Sequence, residues 1–149
     1  MLSKQGQIGF HYPESDFSLT RRKQLKAFIK SLFIREKTVL DRVDYIFCTE
    51  EFLLDLNKQF LGHSFYTDIL SFNLTDGNGP LRGEIYISPK RIRDNAHLYQ
   101  VSFKEELQRV IFHGALHFCG YKDKTKKESA NMRVKEEYYL SLYKRITQQ

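Results

Sequence analysis

At 149 residues, 41% hydrophobic and 28% charged, the chain has the make-up of one globular domain, 1–149, large enough to bury a core without a disulfide staple. Its two cysteines, Cys48 and Cys119, lack CxxC spacing, no apolar run nears the ~18 residues of a membrane span, and the first residues lack the apolar stretch of a secretory leader. A secreted disulfide scaffold and a membrane protein are thereby excluded in favour of a cytoplasmic domain, and a net charge of +6 points to polyanions, above all nucleic acid, as partners.

In chain order, residues 7–12 read as a strand stopped by Pro13. Over 20–36, Leu25, Phe28, Ile29, Leu32 and Phe33 recur at helical spacing, which predicts an amphipathic helix with a basic outer face. Residues 43–49 (VDYIFCT) are β-rich, and Thr49 can cap a helix over EEFLLDLNKQF, whose early acids suit its positive end. Residues 68–74 (DILSFNL) and 83–88 (GEIYIS) are two further strands around the turn-rich TDGNGP. Ser88-Pro89 opens a helix, with proline at its first position. Both Ser102-Phe-Lys-Glu105 and Thr125-Lys-Lys-Glu128 fit the capping box, the first opening a helix over 102–119 and the second one over 126–146. Gly120 stands where a left-handed glycine ends the earlier helix. The order β-α-β-α-β-β-α-α-α implies an α+β domain: one four-stranded mixed sheet covered by about five helices.

Chemistry concentrates in HGALHFCGYKD, residues 113–123. On a helix, positions i and i+4 lie about 40° apart in projection and one turn apart along the axis, so His113 and His117 point the same way. Asp123 follows the glycine stop closely enough to add a third ligand, and three protein ligands with an open position suit a catalytic metal. This is the metzincin spacing with two changes: Gly114 replaces the general-base glutamate and Asp123 the third histidine. A peptidase is therefore disfavoured. Cys119 lies about 200° from His117 around the helix and should face away from the ion as a small buried residue. His11, His63 and His97 are scattered and suggest no site. Lys122, Lys124, Lys126 and Lys127 bracket Asp123, where they are candidates for drawing a phosphate backbone to the metal, whereas the clusters at 21–30 and 90–93 suit solvated helix faces.

The same stretch resembles the H-G-x-L-H-x-x-G-[YH]-D-H signature of the YbeY family of metal-dependent endoribonucleases. LNKQFLGHSFYTDILSF (56–72), RGEIYIS (82–88) and the closing helix with Met132 and Glu136 are similar to further family segments, so the likeness spans nearly the whole chain. The resemblance implies a single-strand-specific endoribonuclease of rRNA maturation, acting at the 16S 3′ end and in ribosome quality control. It would use water activated by one divalent ion, zinc or alternatively nickel or another transition metal, and act as a monomer on RNA of the small ribosomal subunit. His113, His117 and Asp123 would be the ligands, with Asp68 and Glu84 as outer-sphere or substrate contacts. The chain departs from the pattern at Asp123, a harder and more negative ligand than the family histidine, at Leu61 in place of an arginine, and at Tyr66 in place of a proline. Two other functions fit the same residues: a ribosome-associated RNA-binding factor whose metal is structural, and a metal-dependent hydrolase of another substrate.

Overall fold

The computed structural model describes residues 6–13 and 17–148; part of the N-terminal stretch read above for a secretory leader lies outside these. Four strands, β1 (Gln7–His11), β2 (Leu40–Phe47), β3 (Ile69–Asn73) and β4 (Leu81–Ile87), form one sheet in the order β1-β2-β4-β3. β1, β2 and β4 are parallel and β3 returns antiparallel along β4, so the sheet is mixed, as expected. Five helices accompany it: α1 (Arg22–Arg35), α2 (Glu50–Leu56), α3 (Pro89–Tyr99), α4 (Phe103–Phe118) and α5 (Lys126–Thr147).

The period-two pattern of the strands decides which face is covered. Val43, Tyr45, Phe47, Ile85 and Ile87 alternate onto one face and are fully buried together with Ile29, Leu32 and Phe33 of α1 and Ile111, Phe112, Ala115 and Leu116 of α4. α4 is the central helix of this layer, in contact with α1, α3, α5, β3 and β4. Two features fix it on the sheet. The Tyr45 hydroxyl donates to the Ile111 carbonyl at 2.8 Å. Gly114 lets the helix backbone approach so closely that an added Cβ would come within 2.9 Å of Ile85 Cδ1 and 3.1 Å of Ile69 Cδ1. A glutamate at Gly114 would have to displace those side chains, a steric reason for glycine in addition to the missing base.

Several boundaries differ from the sequence-based expectation. α1 starts at Arg22 rather than 20 because Arg21 adopts a left-handed conformation (φ 52°). β2 and β4 begin earlier because pairing continues past the β-rich runs, from Leu40↔Leu81 onward across a register shift. The helix expected over 50–60 is interrupted: after α2, Asn57–Leu61 widen into a π-helical turn closed by Gly62 at φ 68°. Buried Asn57 explains the turn, since its side-chain amide donates to the Phe65 carbonyl at 2.9 Å and its own carbonyl accepts from His63 N–H at 3.2 Å. Only Thr125 forms a reciprocal capping box. At Ser102 the hydroxyl accepts from Glu105 N–H, but the Glu105 carboxylate turns instead toward Arg109, 3.8 Å away.

Candidate metal centre

α4 carries its apolar stripe on the sheet side, which leaves His113 and His117 facing the opposite way, with ring centroids 4.5 Å apart. The helix ends in a Schellman motif: Tyr121 N–H bonds Leu116 O at 3.1 Å and Gly120 N–H bonds His117 O at 3.0 Å, with Gly120 at φ 102°. This reversal brings Asp123 back onto the histidines, and Ser129 holds the Asp123 carbonyl at 2.9 Å. Asp123 Oδ2 lies 3.3 Å from His113 Nε2 and 3.4 Å from His117 Nε2. Those separations are long for hydrogen bonds, yet they match the ~3.3 Å edge of a tetrahedron whose metal–ligand bonds are ~2.0–2.1 Å. Among the described residues, these three form a group whose ligand atoms all lie within 4.8 Å of one another. The donor set fits a divalent ion.

Glu136 of α5 accepts from His113 Nδ1–H at 2.6 Å. A carboxylate only accepts, so this contact fixes the tautomer and leaves the Nε2 lone pair facing Asp123. Burial pulls the His113 pKa down, but the Glu136 hydrogen bond and the charges of Glu136, Asp123 and Asp68 outweigh it and hold it above the usual histidine value. His117 is lowered by burial and by neighbouring His113, against the pull of Asp123.

The three residues sit at the floor of a cleft of about 980 Å³ whose walls include Leu61, His63, Asp68, Tyr99 and Arg133. Asp68 is raised above the ordinary aspartate value by burial, only partly offset by its own backbone, the His113 charge and its 3.3 Å contact with Asn95. Glu106, 4% exposed, is likewise raised by burial despite Arg109, whose guanidinium is 3.6 Å away. Arg109 also meets Glu136 at 3.4 Å and Glu137 at 2.7 Å, forming an ionic layer behind His113.

The structure therefore brings Asp68 to the site and leaves Glu84 out. Gly83 and Ile85 point toward α4, so Glu84 between them faces the opposite side of the sheet, where it accepts from the Tyr86 hydroxyl at 2.9 Å. Of the four lysines, Lys124 lines the cleft, while Lys122, Lys126 and Lys127 are exposed beside it. Cys119 turns away from the histidines toward Thr38, as its helical position implied, but is half-buried rather than enclosed. His11 pairs with Asp44 at 2.7 Å on the outer sheet face, and His97 is exposed on α3. His63, which had suggested no site, lines the cleft instead and stacks on Phe65 at 5.0 Å. Spacing gave no sign of the roles of Arg109, Glu106, Tyr99 and Arg133.

The family model for endoribonuclease YbeY matches residues 4–144. The chain belongs to the YbeY family. It is 41% identical to the endoribonuclease YbeY of Cytophaga hutchinsonii, over 95% of this chain and 99% of that protein. The YbeY of Christiangramia forsetii is 43% identical over 94% of this chain and 96% of its own length. The solution structure of TM1509 from Thermotoga maritima superposes with a TM-score of 0.59 at 29% identity, covering 91% of this chain and 88% of that one. The likeness to YbeY thus covers the sheet, α4 and α5 together.

Proposed function

We infer that this chain is an endoribonuclease that hydrolyses phosphodiester bonds of RNA in the cleft above His113, His117 and Asp123. The observation that carries this reading is the convergence of three ligand atoms at the floor of an open cleft. A purely structural site is normally closed by four protein ligands, whereas a catalytic one keeps a position for water or substrate. The relatives named for endoribonuclease activity supply the reaction class.

A bound divalent ion supplies a water of lowered pKa and a Lewis acid for the phosphate oxygen. The protein does the rest. Glu136 orients His113, and the Schellman turn carries Asp123 into range. Asp68, held above its ordinary pKa by burial beside the site, is the carboxylate we assign to take up or return a proton during cleavage. Lys124 and Arg133 on the cleft wall attract the phosphate backbone. Two imidazoles and one carboxylate make a donor set that zinc accepts, so zinc is the ion we assign, with nickel or another transition metal as the alternative. Asp123 in place of the family histidine makes the set harder and shifts its preference away from zinc. Ribosomal RNA of the small subunit, at the 16S 3′ end, is the substrate we carry forward from the family resemblance, for maturation and ribosome quality control by a cytoplasmic monomer. Among the described residues no helix is long and apolar enough to cross a membrane.

Purified protein incubated with single-stranded rRNA fragments, with and without chelator, tests the reading. Cleavage should vanish with chelator and return with zinc. The His117→Ala variant should retain RNA affinity and its fold while losing turnover. Cleavage that ignores chelator, or none with any divalent ion, rules the proposal out; a variant that melts instead favours the RNA-binding factor with a structural metal.

A further inference from the structure

Three donors from two elements meet on one carboxylate at the C-terminal end of α1. The Glu36 side chain is only 9% exposed. It accepts from the Tyr121 hydroxyl at 2.7 Å, from Lys135 Nζ at 3.1 Å and from the Tyr139 hydroxyl. Lys135 and Tyr139 belong to α5, but Tyr121 lies in the loop between Gly120 and Asp123. The end of α1 does not need the carboxylate, because the Glu36 N–H already bonds Leu32 O at 2.9 Å.

Tyr121 connects this carboxylate to the metal centre. Its N–H completes the turn that ends α4 by bonding Leu116 O, the neighbour of His117, and it stands two residues before Asp123. Its ring packs partly buried against the core, with the Lys135 ammonium 5.6 Å above it. Asp123 is the ligand carried by a loop, and its side chain is 42% exposed, against 19% for His113 and 28% for His117. A loosely held ligand must be ordered when an ion binds, and that ordering subtracts from affinity. Anchoring the preceding tyrosine removes part of this cost.

We propose that Glu36 is a positioning residue of the metal centre, holding the Tyr121 hydroxyl so that Asp123 and His117 keep their ligand atoms at coordination distance. The proposal rests on the metal-centre reading above. Its competitor is a purely structural Glu36 that ties α1 to α5 through Tyr139 and Lys135.

Two hydroxyl deletions separate these roles. Tyr121→Phe removes the link to the loop, and Tyr139→Phe removes a link to α5. The full chain is titrated with zinc alone, in competition with a chromophoric chelator, and unfolding of each metal-free variant in urea is followed in parallel. Tyr121→Phe should bind zinc about tenfold more weakly, at the lower end of the loss typical of outer-sphere partners. Tyr139→Phe should bind zinc like the wild type while losing metal-free stability. Glu36→Gln should match Tyr121→Phe in zinc affinity, and the double variant should be no weaker than the weaker single one, since both remove the same link. Wild-type affinity in Tyr121→Phe, or losses that add in the double variant, overturns the positioning role. Failure of the wild-type protein to bind zinc, and nickel or any other divalent transition-metal ion titrated in the same way, overturns the metal-centre reading itself, and this proposal with it.

Discussion

Glu136 on α5 and His113 on α4 are 23 positions apart in the chain and joined by a 2.6 Å hydrogen bond that presents the opposite ring nitrogen to Asp123. This contact makes the packing of α5 on α4 part of the metal centre. Glu136→Gln keeps the side-chain shape but offers a weaker neutral acceptor whose orientation is no longer constrained. Outer-sphere partners of metal-binding histidines typically contribute roughly 10–100-fold in metal affinity. The expected outcome is a loss in that range in a zinc titration, with RNA binding by the metal-free protein preserved. Unchanged zinc affinity would show that His113 is oriented by its packing alone.

Acid stability should carry the signature of Glu36. Burial would raise its pKa, but hydrogen bonds from Tyr139, Tyr121 and Lys135 outweigh burial and hold it below the ordinary 4.5. A carboxylate depressed in the folded state adds stability above its unfolded pKa, and that contribution is lost as pH falls through the folded value. Wild type should therefore exceed Glu36→Gln by on the order of 2 kcal/mol at pH 7, as expected for hydrogen bonds to a charged group. The gap should close progressively below pH 4.5. Urea unfolding of both proteins between pH 7 and pH 3 measures it, and a pH-independent gap would contradict the assignment.

How far the sequence could be read follows from the range of the interactions involved. Local signals sufficed for the elements: Thr49, Ser88, Ser102 and Thr125 all cap the helices they were expected to open. The His113, His117 and Asp123 group was legible because helix periodicity and a glycine stop lie within eleven residues of chain. Glu84 was misplaced because sequence proximity to a strand says nothing about which face a side chain takes until the burial pattern is fixed. Glu136 had appeared only as part of a family pattern; its role depends on how α5 docks, 23 residues from its partner. The π-helical turn at Asn57–Leu61 is set by a buried amide reaching Phe65, which no propensity encodes.

Gly114 offers a test of the close approach between α4 and the sheet. Alanine favours helix by ~1 kcal/mol over glycine. Here its Cβ would press within 2.9 Å of Ile85 Cδ1 and 3.1 Å of both Ile69 Cδ1 and Ile85 Cγ2, in a core where Ile85 is fully buried. Overpacking of this kind costs about 1–3 kcal/mol, so the balance falls on the destabilising side by about 1 kcal/mol. For a domain of this size that corresponds to a melting temperature lower by roughly 2–4 °C in calorimetry. A melting temperature at or above wild type would mean that the isoleucine side chains yield and that the glycine is not required for packing.

The cleft walls separate two ways of holding RNA. Arg133 contributes charge, whereas Tyr99, 57% exposed, offers a ring on which a base can stack. Each phosphate contact to a single strand contributes about 0.7 to the slope of log affinity against log salt, because binding releases counterions. Arg133→Ala should weaken binding of a single-stranded RNA oligonucleotide and flatten that slope by about this amount. Tyr99→Ala should leave the slope unchanged and still cost about 1–3 kcal/mol, the loss of one stacked base. Fluorescence anisotropy across a salt series, on metal-free protein so that the oligonucleotide survives, distinguishes them. Equal changes of slope in the two variants would mean that Tyr99 acts through the path of the backbone and not through a base, and no effect from either would place the RNA outside this cleft.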